Sequence, residues 1–236
     1  MPEQVDERVS LSFHPVTFTN LDGYDEESAK FIGDAVSAFN DAYRTIAKVH
    51  DATDAGKRNG AWTDEQRILA VSKVANKEQE RLLRRMDVAL ASATKAAEHI
   101  ERELSVPVES KASLGIAAEI RAHAKSLGKG QMDFVRGLIE AGDDLSVSAV
   151  LGGPSYLSGI TDDMRTVLTR MWHERQNPAL VQRLTLLRAT AEKIERDGPL
   201  VMLEMQKAVG AKADRVHGID RANEAALAAL KIEPTL

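Results

Sequence analysis

A stretch of 46 residues without glycine or proline, residues 61–106, constrains this chain more than any other feature. Within it, apolar residues recur at steps of three and four, which is the spacing of one face of an α-helix. Thr63 and Gln66 have the spacing of a capping box, which favours a helix that begins at Asp64. The sequence therefore predicts one continuous helix from Asp64 to about Leu104, about 60 Å long.

The apolar seam of this helix becomes rich in alanine in its second half, so a partner helix can approach closely there. An earlier helical pattern runs from Asp25 to about Asp54, and glycine and asparagine in residues 56–60 mark a turn. A helix, a short turn and a longer helix predict an antiparallel hairpin with coiled-coil-like packing. The predicted seam of the second helix consists of Ile68, Val71, Ala75, Leu82, Met86, Ala89, Ala93, Ala97, Ile100 and Leu104.

The composition favours an all-α fold. Aromatic residues make up only 4% of the chain, and alanine, leucine and valine supply most of the apolar content. Helices use these residues well, whereas sandwiches and barrels are rich in aromatic and β-branched residues. After Pro107 the helical patterns are shorter and the turn signals closer together. We therefore predict an N-terminal arm (1–24), a long helical hairpin (25–105) and a bundle of shorter helices (106–236).

The N-terminal arm has the alternating pattern of an extended strand, and Pro15 interrupts it. Two interpretations remain open: the arm lies on the helices of its own chain, or it adds to a neighbouring subunit. Disorder is a third. The candidate partner-binding residues are Val9, Leu11, Phe13, Val16 and Phe18.

No catalytic, cofactor-binding or metal-binding constellation is predicted. His173-Glu174 begins a zinc-helix pattern, but Asn177 stands where the second histidine belongs, and one ligand does not hold zinc. Residues 125–130 lack the Ser or Thr and the first glycine of a phosphate loop. The glycine pair before Pro154 has the composition of an anion-binding nest, but a bend between two helices explains it more simply. We expect no cofactor and no enzymatic activity.

The net charge of −5 is confined to residues 1–104, which hold 14 Lys and Arg against 19 Asp and Glu. Because phosphate binding favours a basic surface, nucleic acid is not expected as a direct specific ligand. The strongest candidate recognition helix, Met164 to Arg175, mixes three arginines with acidic residues. The acidic N-terminus without an apolar core, the lack of cysteine and the lack of a long uncharged apolar stretch favour a reducing cytoplasm and no membrane span.

The stretch from Gln131 to Pro178, which includes LSVSAVLGGPSYLSGITDD, resembles a type of uncharacterised protein encoded among bacteriophage and prophage structural genes. The resemblance implies a virion or assembly role, such as a scaffold or a head or neck component, and carries over no functional residue. We therefore expect a non-enzymatic structural protein of a virion or the host cytoplasm, which forms homo-oligomers and binds other assembly proteins. The alternative is a nucleic-acid-associated helical regulator built from residues 111–176.

Overall fold

The computed structural model describes residues 5–230, and every regular element among them is helical, which confirms the predicted all-α class. The α-helices are α1 (Gly33–Arg58), α2 (Asp64–Glu103), α3 (Leu114–Ser126), α4 (Gln131–Ala141), α5 (Asp144–Leu151), α6 (Ser155–Ser158), α7 (Asp162–Gln176), α8 (Pro178–Asp197), α9 (Leu200–Val209) and α10 (Ala213–Ala229). Short 3-10 turns occupy Leu11–Phe13, Pro15–Asn20, Ala29–Ile32 and Gly128–Gly130.

Helix α2 begins and ends almost where the sequence predicts. The capping box forms, because the Thr63 N–H donates to Gln66 Oε1 (2.9 Å) and the Gln66 N–H donates to Thr63 Oγ1 (3.2 Å). All ten residues of the predicted seam are buried. The three-and-four spacing therefore identified the buried face of this helix correctly.

Helices α1 and α2 form the predicted antiparallel hairpin. Asp41, midway along α1, accepts a hydrogen bond from Arg81 on α2 (2.5 Å). Gly56, near the end of α1, packs against Arg67 at the start of α2. Residues nearer the end of α1 therefore contact residues nearer the start of α2, which is the order of an antiparallel pair.

Helix α1 begins eight residues later than the pattern indicates. Asp25 and Ser28 exchange hydrogen bonds, with the Ser28 N–H donating to Asp25 Oδ1 and the Asp25 N–H donating to Ser28 Oγ. These local bonds hold the segment as a polar turn, and a 3-10 turn at Ala29–Ile32 leads into Gly33. Asp25 therefore lies before the helix, and Asp34 is the acidic residue of its first turn.

The N-terminal segment consists of 3-10 turns in place of the predicted extended strand. The Ser10 hydroxyl accepts from the Ser12 N–H, and the His14 ring accepts from the Val16 N–H, so each turn has its own side-chain cap. Pro15 is the first residue of the second turn, where its fixed φ is compatible with helical geometry. The alternation of apolar and polar residues is as compatible with these capped turns as with a strand, because the segment is too short to separate the two periods.

The chain divides into two compact units. Unit 2 begins at Lys95, whereas the sequence predicts a boundary near residue 105. Unit 1 comprises residues 5–94 and 186–230 of the described chain, and unit 2 comprises residues 95–185. The last part of the predicted bundle joins the N-terminal helices because α9 packs along α1. Sequence patterns report helices and turns, but they do not report which distant helices pair.

Unit 2 contains helices α3 to α7 around one apolar core. Val135 and Ile139 from α4 pack with Val147 and Val150 from α5 and with Leu168 from α7. Side-chain caps begin α5 and α7, as a carboxylate and a hydroxyl accept from backbone N–H groups in the first turn of each helix. Helix α6 is a single turn between α5 and α7.

Candidate binding groove

An open groove of about 480 Å³ lies between α1 and α2 in unit 1. Its volume is within the range of small-ligand pockets. Residues of both helices and of the loop between them line it. They are Asp41, Thr45, Lys48, Val49 and Ala52 from α1, Trp62 from the loop, and Ala70, Val71, Val74, Glu78 and Arg81 from α2.

Small side chains of both helices contribute to the groove. Ala52 and Ala70 leave space that longer side chains would fill, and Val49 and Val71 form a buried floor. Trp62 stands at one end, just before the capping box that begins α2. Its backbone N–H donates to the carbonyl of Asn59 (3.1 Å), so a tight turn places the indole against the groove.

The other end of the groove is polar and internally paired. Arg81 binds Asp41 and also Glu78 (2.7 Å), and Arg85 binds Asp41 from the next turn (2.7 Å). The hydrogen bond from Arg81 lowers the pKa of Asp41, against the opposing effect of burial. With Arg84 beside Glu80 (3.6 Å), each arginine of this cluster has an acidic partner.

One cation on the groove remains unpaired. Lys48 is exposed at the groove edge, and within residues 5–230 its side chain has no ion pair or hydrogen bond. The apolar part beside it is also uncovered, because Trp62 is 45% and Val74 is 60% exposed. An exposed apolar groove with one free positive charge is a surface suited to an apolar partner that carries an acidic group.

The candidate partner-binding residues of the arm separate into two groups. Val9, Phe13 and Phe18 are buried in unit 1, whereas Leu11 and Val16 are exposed. The sequence made all five candidate partner-binding residues. Three of them are part of the core of their own chain, and they are not accessible to a neighbouring subunit while the segment stays folded.

Hydrogen bonds to buried groups hold this segment in place. The Asp6 N–H donates to the Tyr43 hydroxyl (2.6 Å), and the Ser10 N–H donates to the buried carboxylate of Glu204 (3.1 Å). The Phe18 ring meets Phe39 edge-on at a centroid distance of 5.1 Å. Of the two interpretations of the arm, the structure therefore shows the one in which it lies on its own helices.

The glycine loop after α5 is filled by the protein itself. A Cβ at Gly152 would lie 2.5 Å from the Ser110 nitrogen, and one at Gly153 would lie 2.4 Å from Arg121 Nε. The Arg121 guanidinium occupies this side of the loop and donates to the Ala149 carbonyl (2.6 Å). The glycines are required for close packing, and the space that an anion would need contains Arg121.

The other chemical candidates have structural partners. His173 is hydrogen-bonded to the Val106 carbonyl (2.8 Å), and the sequence similar to a phosphate loop contains a 3-10 turn at Gly128–Gly130. On the candidate recognition helix, Arg165 pairs with Asp162 and Arg170 pairs with Glu174. Within the described residues, no group of three His, Asp or Glu side chains lies close enough to hold a metal ion.

The sequence alone does not identify Lys48, Trp62 and Val74 as a site. A signal for them exists, because Val74 is an apolar residue outside the predicted seam of α2. Apolar residues off the buried face are common singly, and only the groove beside Val74 makes this one part of a larger surface.

No protein-family model, curated protein or solved structure matches this chain. Among residues 5–230, no helix is both long and apolar enough to cross a bilayer.

Proposed function

We propose that this chain is a non-enzymatic structural or assembly protein of a bacteriophage-like particle, located in the virion or the host cytoplasm. It acts by helix-mediated self-association and by binding other assembly proteins. The resemblance of residues 131–178 to phage and prophage structural proteins supports membership in a phage-like particle. The open groove between α1 and α2 is the single observation that supports self-association and partner binding.

The groove favours an interaction role because its polar groups are already paired. Asp41, Arg81 and Glu78 bind one another, so they form a rim rather than a set of free acids and bases. Trp62 and Val74 leave an apolar surface that contact with another helix would bury. Nucleic acid is not favoured as a direct ligand, since Arg165 and Arg170 on α7 are paired within their own helix.

Sedimentation velocity over a wide range of protein concentration tests the self-association. The wild-type chain is expected to form oligomers as its concentration rises, and Val74→Glu is expected to weaken them because it places a charge in the groove. Val88→Glu is the matched control, since Val88 is an exposed valine of the same helix outside the groove. A wild-type chain that stays monomeric at every concentration would exclude self-association.

Particle membership has a separate test. DNA damage induces prophages, so the source cells are treated with a DNA-damaging agent and the released particles are separated on a density gradient. The chain is expected in the fractions that hold nuclease-resistant particles. Particles that band without the chain, while it remains among soluble proteins, would contradict the proposed role.

A further inference from the structure

The C-terminal end of α10 is an apolar surface without a partner. No charged residue occurs from Ala225 to Leu230. Leu227 is 55% exposed and Leu230 is 73% exposed, and no residue of the helix is buried. Two leucines three positions apart lie on the same side of a helix, so they present one exposed apolar patch.

Helix α10 lies beside the first half of α2. Residues 216–217 line one cavity with residues 72–79 of α2, and residues 218–223 line another with residues 65–69. Arg215, at the start of α10, pairs with Glu65 in the first turn of α2 (4.0 Å).

Leu227 and Leu230 lie farther along α10 than these contacts. Leu230 is seven residues beyond Asn223, which is about 10 Å along the helix axis. The two leucines are exposed, and so are Trp62 and Val74, so the helix end does not cover the groove of its own chain.

We propose that the groove between α1 and α2 of one copy receives the C-terminal end of α10 of a second copy. This inference rests on the proposed self-association and names its interface. An amphipathic helix in a groove is held by anchors at steps of three and four, and Leu227 and Leu230 have that spacing. The patch on α10 and the groove at Trp62 and Val74 are both exposed and apolar. Contact between the two surfaces removes both from water.

The charges of the two surfaces are complementary. Lys48 is the unpaired cation at the edge of the groove, and Glu224 is exposed on α10 one turn before Leu227. Within the described residues, neither side chain has an ion pair or hydrogen bond. When the leucines occupy the groove, Glu224 lies toward its edge and pairs with Lys48. Such a pair selects the orientation of the helix more than it strengthens binding.

This interface joins different surfaces of two copies, so it is head-to-tail. Each copy keeps one free groove and one free α10 end, and further copies add until a ring closes or a filament grows. One helix end in one groove is a small interface, and a dissociation constant on the order of micromolar or weaker is expected for each contact.

Two variants that each destroy one half of the interface test the proposal. Val74→Glu blocks the groove and keeps α10, whereas the double variant Leu227→Glu/Leu230→Glu keeps the groove and blocks α10. All three positions are exposed, so the fold is expected to persist, and circular dichroism checks this. In sedimentation, each variant alone is expected to be monomeric. An equimolar mixture is expected to form a one-to-one dimer and nothing larger, because only one intact groove and one intact helix end meet.

The outcomes separate the interface from the proposed function. If the wild-type chain self-associates and the α10 variant does so equally well, the interface proposed here is wrong and self-association stands. If the two variants do not dimerise when mixed, a head-to-tail contact is also excluded. A monomeric wild-type chain overturns both. Leu203→Glu is the matched control, because Leu203 is an exposed leucine on α9 and is expected to have no effect.

A charge exchange tests the orientation. Lys48→Glu and Glu224→Lys are each expected to weaken association by about two- to fivefold, the size of an exposed ion pair. The double variant carries both changes in every copy and is expected to regain the wild-type affinity. Additive weakening in the double variant would exclude the pairing of Lys48 with Glu224.

Discussion

Lys193 donates a hydrogen bond of 2.7 Å to Asp197, one turn later in α8, and both side chains are almost fully buried. The same ammonium group donates to the Ser12 carbonyl (3.1 Å) and lies 4.9 Å from the centroid of the Phe39 ring. One buried ion pair therefore joins the N-terminal segment, α1 and α8. Its position explains why the segment folds on its own chain, since the Ser12 carbonyl satisfies part of the lysine's hydrogen-bonding capacity.

Removing one partner of this pair is expected to destabilise unit 1 strongly. In Lys193→Met the carboxylate of Asp197 stays buried and keeps only Arg196 as a partner, so a loss of about 3 to 5 kcal/mol is expected. Urea unfolding measures it, with Trp62 as the fluorescent reporter of unit 1 in a Trp172→Phe background. The double variant Lys193→Met/Asp197→Leu is expected to lose less, because it leaves no unpaired charge. Equal losses would contradict this account.

The N-terminal segment is expected to contribute to stability rather than to association. Phe18→Ala removes a fully buried ring that contacts Phe39, and a loss of about 3 to 5 kcal/mol of unfolding free energy is expected. Val16→Ala is the control from the same turn, where the exposed side chain is expected to matter by less than about 0.5 kcal/mol. If Phe18→Ala instead weakens association while the unfolding free energy is unchanged, the segment functions in docking.

Acidification is expected to lower the stability of unit 1, because carboxylates that stabilise the folded state become protonated. The hydrogen bond from Arg8 lowers the pKa of Asp6 from 3.8 to about 2. At Asp197, burial opposes ionisation, but hydrogen bonds from Arg196 and Lys193 outweigh it and lower the pKa. A carboxyl group with a lowered folded pKa stabilises the fold above its unfolded pKa, and this contribution disappears as the pH falls through the folded value.

For Asp6 this window extends from about pH 3.8 down to about pH 2. Asp6→Asn is expected to be less stable than wild type at neutral pH and to lose less on acidification. Unfolding free energies measured across the acid range check both parts. Parallel pH profiles for wild type and variant would show that the ion pair with Arg8 does not contribute.

Two glycines of unit 2 are expected to respond in opposite ways to alanine. At Gly152 a Cβ would lie 2.5 Å from the Ser110 nitrogen and 2.7 Å from the Ser148 carbonyl oxygen, both backbone atoms. Gly152→Ala is therefore expected to destabilise unit 2 by about 1 to 3 kcal/mol. Gly137, inside α4, has open space around it, and alanine there is expected to add about 1 kcal/mol. Trp172 fluorescence in a Trp62→Phe background reports on this unit, and a stable Gly152→Ala protein would refute the close approach.

Local sequence signals predicted most helices because the forces that begin and end a helix are local. The capping box at Thr63 lies next to the helix that it begins. Thr161, which caps α7, and Pro178, the first residue of α8, likewise lie within a residue of the helix start. The N-terminal segment departed from prediction because it is short. A few alternating residues are equally compatible with a strand and with a 3-10 turn.

The candidate site was not predictable in the same way. Trp62, Val74 and Lys48 belong to two helices and a loop, and nothing in their local sequence relates one to another. Leu227 and Leu230 read as an ordinary alanine-rich helix end. They become notable only because the fold leaves both of them exposed, as it does Trp62 and Val74.

By itself, the sequence determined the all-α class, the long α2 with its ten-residue seam, and the antiparallel turn into it. These depend on periodicity, capping and the absence of helix breakers over residues 61–106. Only the tertiary structure decided that the N-terminal segment is core, that α9 pairs with α1, and that a groove and a helix end remain uncovered. Those outcomes depend on which apolar faces pack together. Because the hydrophobic effect is non-directional, a local sequence pattern does not specify which distant segment covers a given apolar face.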